Sequence, residues 1–374
     1  MKILYWIFGI LFVIILVIVG LYFYYIYVPP SAKNLVVTIP PAPVPGPDDA
    51  YLNYQKMLAL YPGTPKEPDF QRLLDLNNQL TVQDIPVLHR LMDKYQPCLD
   101  EMEQGSQKKV CTIPIPPLPN GKFTYAIVST YTMNSTGFDT HSFLTLQILA
   151  KIMVLKGKLA ELENRPQDAI QEYAMIIRMG KQLDQTTLIM RLISAAMRAV
   201  GVNAMGELLD NPHSVSYASD IYNTMKQFEP AQSIDTAVLA NYEPGLRMND
   251  VIDIPRVYRM LFERIAKPNI EAALIRNKIA NAKQEMVYLA SATRVYQAQH
   301  QKEPDKLENL VPDLMVSVPK DPFSNLTFEY LNRGGEVTFY SFGPDTTDNQ
   351  ARLFYDPTNG TVSNGDVVVR LKVH

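Results

Sequence analysis

Hydrophobic positions divide the chain into three regimes. From Ile3 to Val28 the residues are apolar and uncharged, a run of 26, and about 20 such residues suffice for a helix to cross a bilayer core. Between Asp48 and Gln301 apolar residues recur at three- and four-residue spacing, the period of helices buried on one side. Tyr51, Tyr54, Leu58 and Tyr61 follow it, as do Val87, Leu88, Leu91 and Met92. Leu144, Ile148, Ile152 and Leu155 line one predicted face, Ala169, Ile170, Tyr173, Ile176 and Ile177 another, and Thr186 to Leu209 is helical again. A long helix is expected from Ile270 to Gln301, and a short one over Lys306–Leu314 after Pro304. The period then falls to two. Leu326, Phe328 and Tyr330 alternate with Thr327 and Glu329, Gly334-Gly335 reverses the chain, and Val337–Phe342 returns. Ala351–Tyr355 and Asp366–Val373 are each predicted to be strands.

Punctuation supports that division. Seven prolines fall within 29–47, a composition that keeps a segment extended and semi-rigid. Asp48-Asp49 is placed to cap the first helix, and Thr81 with Asp84 has capping-box spacing before the second. Pro166 suits a first helical turn, and Gly105 with the prolines up to Gly121 predicts a loop. The expected fold class is α+β: a transmembrane anchor (1–28), a proline-rich spacer (29–47), an α-helical domain (48–265), and a long helix with a small antiparallel sheet (266–374).

Composition narrows the function. A net charge of −3 with 20% charged residues offers no basic surface for a nucleic-acid backbone, so nucleic acid is not an expected partner. The apolar run has Tyr5 and Trp6 at one end and Tyr22, Phe23, Tyr24, Tyr25 and Tyr27 at the other, as interfacial belts require. Its length, and the lack of a small-x-small site before Val28-Pro29-Pro30, favour an uncleaved anchor over a secretory signal. Lys2 precedes the run and the next base is Lys33, which places the bulk of the chain outside the cytoplasm. In that oxidising setting Cys98 and Cys111, with twelve residues between them, are candidates for a disulfide.

Residues 319–348 carry the most specific pattern: Pro319, Asp321, Pro322, Phe323 and Asn325, then Phe328, Tyr330 and Gly335, then Tyr340, Ser341, Gly343 and Asp345. This order resembles the C-terminal part of the major pseudopilin of type II secretion systems, over about 284–374. The resemblance implies a long helix with a small sheet, and a calcium ion held in the loop after the hairpin. Calcium takes six to eight oxygens, and the resemblance nominates Asp345, Asp348 and Asp366 as metal ligands. Seventeen residues separate Asp348 from Asp366, more than that family's shorter acidic loop. No glutamate lies in the apolar run, so pilin-type processing is not expected. One hairpin, about 150–180, resembles a tetratricopeptide unit, with Gly157, Ala169 and Tyr173 at its small, small and aromatic positions.

Catalytic signatures are missing. No G-x-S-x-G elbow, H-E-x-x-H helix or phosphate-binding glycine loop occurs, and the five histidines lack metal spacing. No catalytic residue is nominated. The expectation is a non-enzymatic, single-pass scaffold or adaptor on the periplasmic side of a bacterial inner membrane, with protein partners in secretion or pilus-type machinery. One alternative is a helical module binding an envelope peptide in a groove lined by Tyr51, Tyr54 or Tyr173. Another is an envelope hydrolase built on two carboxylates distant in sequence.

Overall fold

The computed structural model describes residues 16–22, 44–76, 79–113, 140–184, 188–228, 264, 267–333, 335–356 and 363–372. Its helices, in order, are α1 (Ala50–Ala59), α2 (Pro68–Leu74), α3 (Ile85–Ser106), α4 (Thr140–Leu162), α5 (Pro166–Leu183), α6 (Leu188–Leu209), α7 (Ala218–Lys226) and α8 (Lys267–His300). Three strands follow, β1 (Glu329–Arg333), β2 (Glu336–Ser341) and β3 (Val367–Lys372). The fold is mixed, mainly helical with a small antiparallel sheet.

Local chemistry sets the helix starts. Asp49 Oδ1 accepts from the Tyr51 amide at 2.9 Å and caps α1. Thr81 and Asp84 form a capping box, the Thr81 amide donating to Asp84 Oδ2 at 2.8 Å, and a short 3₁₀ turn leads into α3. Between α4 and α5, Asn164 takes a left-handed conformation (φ 59°) while the Arg165 amide reaches back to the Ala160 carbonyl at 2.8 Å. Pro166 then opens α5, where its missing N–H leaves no carbonyl unpaired. The α4–α5 hairpin closes tightly because Gly157 leaves room for the Tyr173 ring, which occupies the space a Cβ would need.

The helices pack in sequence: α1 on α3, α3 on α4 and α5, α4 on α5, and α5 on α6. Within α6, Met190–Leu209 is long and apolar enough to cross a membrane, yet it is 61% buried inside the protein, walled by α5 and α8. Helix α8, 34 residues long, packs against α6 and α7 and also against β2 and β3. One hydrophobic cluster therefore runs from Ala50 through Ile176, Met205 and Met286 to Phe339 and Leu371.

The sheet has order β1-β2-β3, all neighbours antiparallel, with Tyr330 opposite Phe339 and Phe339 opposite Val369. It is tied to the helices at their far end. Arg294 on α8 donates to the carbonyls of Lys372 (2.5 Å) and Leu209 (3.4 Å). The Lys372 amide donates to Asp210 at 2.8 Å, and its ammonium lies 3.2 Å from the same carboxylate.

Several expectations need correction. Ala351–Tyr355 is not a strand: Gln350 and Ala351 both take left-handed conformations, which breaks an extended run, and only Phe354 bridges to Asp366. The helix expected over Lys306–Leu314 shrinks to a 3₁₀ turn at Leu307–Leu310. Leu144 is exposed, while Ile152 and Leu155 of the same predicted face are buried, and the buried side of α4 also takes in Leu146, Leu149 and Met153. Gly105 and Ser106 belong to α3, since a Cβ at Gly105 would lie 2.6 Å from the Tyr54 ring and glycine lets the helix continue past it.

Cys98 and Cys111 are buried and not bonded to each other. The Cys98 thiol contacts the Met57 carbonyl at 3.5 Å, whereas Val110, next to Cys111, accepts from the Ala50 amide. Burial pushes both thiols up, Cys98 to about 11 and Cys111 to about 12. Of the apolar run, only 16–22 lie among the described residues; they are helical and exposed. Most of the proline-rich spacer, and the prolines at 114–119, lie outside the described residues.

Candidate functional site

A cleft of about 680 Å³ opens between α2 with the following Gln79-Leu80, α4 and α6. Its walls follow from helical spacing. Val154, Leu155, Lys158, Glu161 and Leu162 lie on one side of α4, and Val200, Asn203, Ala204 and Glu207 on one side of α6. Leu73, Leu76 and Leu80 close the third side. The lining is mixed, with Gln79, Asn203 and Asn211 among the apolar side chains, and its charge is gathered where Lys158 sits between two carboxylates, 3.0 Å from Glu207 and 3.3 Å from Glu161. Tyr173 donates its hydroxyl to Glu161. Burial pulls the Lys158 ammonium down, but Glu161 and Glu207 outweigh it and hold the group above the ordinary lysine value. Lys158 therefore stays protonated, a poor nucleophile and a fixed positive charge. One ammonium against two carboxylates leaves that part of the cleft with a single net negative charge. The volume falls within the ~300–1,000 Å³ of small-ligand sites and can take a few side chains of a partner segment.

The tyrosines nominated for a binding groove do not line it. Tyr51, Tyr54 and Tyr173 are core residues at 3%, 0% and 0% exposure, so the aromatic groove is absent among the described residues. Burial pushes up the carboxyls of Glu172, Asp184, Glu285, Glu329 and Asp366, and none of them lines the cleft. His89 bonds Glu163 at 2.8 Å on the surface, and His300 stacks on Tyr296.

The three aspartates nominated for calcium come together around the loop between β2 and β3. Asp345 accepts from the amides of Thr347 (3.1 Å) and Gly365 (3.0 Å). Asp348 accepts from the Gln350 amide (2.7 Å) and the Tyr340 hydroxyl (3.3 Å). Asp366 accepts from the amides of Asn349 (3.3 Å) and Ala351 (2.7 Å). Burial raises the Asp366 carboxyl despite those two bonds, and the Asp348 and Asp345 charges add to the rise. Among the described residues no three His, Cys, Asp or Glu side chains form a group that could hold a metal ion. The carboxylates act as acceptors that fold the loop.

Asp321, singled out in the sequence only as part of a motif, proves structurally central. It is 1% exposed and accepts from the Phe323 amide (3.1 Å), the Ser324 amide (3.2 Å) and hydroxyl (2.8 Å), and the Ser341 hydroxyl (2.6 Å). It thus joins the turn before β1 to the end of β2.

Sequence reasoning missed the cleft. Lys158 and Glu161 show a visible i,i+3 spacing, but Glu207 belongs to another helix and nothing local announces that it completes the cluster. In comparisons with known proteins, no family model, curated protein or solved structure matches the chain.

Proposed function

We propose that the chain is a scaffold or adaptor, held by its N-terminal apolar run as a single-pass anchor in a bacterial inner membrane. The proline-rich spacer lifts the helical body to the periplasmic side, where its cleft receives an apolar segment of a protein partner. The observation that carries this reading is the cleft itself, lined by leucines and valines of three helical segments interspersed with Gln79, Asn203 and Asn211, and carrying the Lys158, Glu161 and Glu207 cluster. Its single net negative charge selects a segment whose leucine-like side chains are followed by a basic residue, because opposite charges favour one orientation of docking. The resemblance of 319–348 to major pseudopilins associates that partner with secretion or pilus-type machinery.

The test is site-specific photocrosslinking in the native membrane, with the crosslinker at Leu80 and, as control, at the exposed Leu144. The expected result is one discrete adduct from Leu80, absent from Leu144 and lost in Glu207→Lys, which reverses the sign of the charged cluster. Identical adducts from both positions, or an adduct indifferent to Glu207→Lys, would refute the reading.

A further inference from the structure

The two edges of the sheet are finished differently. With strand order β1-β2-β3, the outer sides of β1 and β3 have no strand beside them. Such a row of amides and carbonyls is a template for another chain, and proteins blunt it with lysine, proline, bulges or covering elements. The β3 edge is closed by the helical body. There the Lys372 amide donates to Asp210 at 2.8 Å, and the Lys372 carbonyl accepts from Arg294 at 2.5 Å. Strand β1, Glu329-Tyr330-Leu331-Asn332-Arg333, has neither proline nor lysine and pairs with β2 without a bulge. Among the described residues, no hydrogen bond from outside the sheet reaches its backbone.

Register decides which groups face outward. Two residues separate Arg333 from Glu336, its partner on β2, and the closing pair of so short a hairpin exchanges both backbone bonds. Bonded pairs then recur at Leu331 with Thr338 and at Glu329 with Tyr340, so the N–H and C=O groups of Tyr330 and Asn332 point away from β2. Side chains alternate between the two faces. Tyr330 lies opposite the buried Phe339 and faces the core. Glu329, Leu331 and Arg333 therefore share the outer face, with Leu331 half-buried and Arg333 exposed.

The strand is charge-complementary to itself. Laid antiparallel against a second β1 with Leu331 on the two-fold axis, Tyr330 meets Asn332 of the other copy, and their outward groups complete the ladder. Glu329 then meets Arg333 of the other copy at each end. Opposite charges directly across a strand pair stabilise it and like charges destabilise it. Sliding the pair by two residues sets Glu329 against Leu331 and removes both matches. Within one copy, burial raises the Glu329 carboxyl and the Asp348 charge adds to the rise, so an incoming guanidinium favours the ionised form.

We infer that β1 is the surface on which a second copy of this chain pairs, edge to edge and antiparallel, about a two-fold axis at Leu331. The contact is isologous and closes at the dimer. A strand of 5 residues gives a small interface of the weak, reversible class. None of these residues lines the cleft between α2, α4 and α6, so the pairing stands whether or not that cleft docks a partner.

Disulfide trapping of the full chain in detergent tests the pairing. Across a non-bonded antiparallel pair the two Cα atoms are about 4.5 Å apart, within disulfide range, so Leu331→Cys should form a covalent dimer under mild oxidation. Asn332→Cys is the control, because its two copies would sit diagonally, about 7–8 Å apart and beyond that range. The unsubstituted chain, whose Cys98 and Cys111 are buried, is the blank. In the Leu331→Cys background, Glu329→Arg sets arginine against arginine and Arg333→Glu sets glutamate against glutamate. Each should lower the dimer yield about fivefold or more. Mixing the two variants restores both charge pairs and should recover the yield as a mixed dimer, which separates a lost contact from a lost fold. Absence of the Leu331→Cys dimer, equal trapping of Asn332→Cys, yields indifferent to charge, or no recovery on mixing would each overturn the inference. So would slow hydrogen exchange of the Tyr330 and Asn332 amides at dilutions where the chain is monomeric, since another segment of the same chain would then cover the edge.

Discussion

Replacing Glu285 with Gln isolates the energetic consequence of one buried carboxyl. Glu285 lies on α8 at 9% exposure, and burial raises its pKa from 4.5 to about 7, Lys181 pulling partly the other way. The folded protein holds this proton more tightly than the unfolded chain. Stability is therefore undiminished below the unfolded value and falls as pH rises through the window from 4.5 to about 7. At 1.36 kcal/mol per pH unit, the loss across that window is on the order of 3 kcal/mol. Gln keeps the shape and cannot ionise. Urea unfolding followed by far-ultraviolet circular dichroism at pH 5, 6, 7 and 8 should give nearly equal stabilities at the acid end, with Glu285→Gln ahead by about 3 kcal/mol at pH 8. Glu172 and Asp184, also raised by burial, are present in both proteins and cancel in the difference. Asp49, Asp84 and Glu101 have lowered values, so their contribution is lost only at more acid pH. A difference between the two proteins that does not grow with pH would refute the reasoning.

Three further outcomes follow from the geometry. Asp321→Ala strips an acceptor shared by two amides and two hydroxyls and should cost about 3 kcal/mol or more, so a loss under about 1 kcal/mol by urea denaturation would contradict the role given to that carboxylate. Gly157→Ala drives a methyl group into the Tyr173 ring and should lower stability by about 1–3 kcal/mol, whereas an unchanged thermal midpoint would show that the hairpin has slack. Millimolar calcium should leave the thermal midpoint unmoved, since Asp345, Asp348 and Asp366 already serve loop amides. A rise abolished by Asp348→Asn would restore the metal.

The legible part of the fold is the part written in short-range chemistry. The Asp49 cap, the Thr81–Asp84 box, Pro166 at a helix start and the alternation around β1 and β2 depend on residues a few positions apart, and each could be read directly. Failure came where distant packing decides. Gly105 has the local signature of a loop residue, yet it continues α3 against the Tyr54 ring. Ala351–Tyr355 has strand-forming residues but is bent by left-handed Gln350 and Ala351, whose amides anchor to Asp348 and Asp366 respectively. The tyrosines read as groove lining are spaced correctly for helices and simply face the wrong way, into the core. The cleft between α2, α4 and α6 was invisible for the same reason. Lys158 meets Glu207 across two helices, which no local pattern can display.

Helix α8 has a consequence for how the molecule comes apart. Its apolar residues cover α6 and α7 over one length and the sheet over another, and Arg294 holds backbone from both sides. A chain cut near residue 266 would leave Met205, Leu208 and Met225 without their lid, and the fragment beyond it would carry Met286 and Leu289 into water. Neither piece is a natural unit of folding. Helical and sheet-specific probes should melt in one cooperative transition, and two separated transitions would show that the shared helix does not couple them.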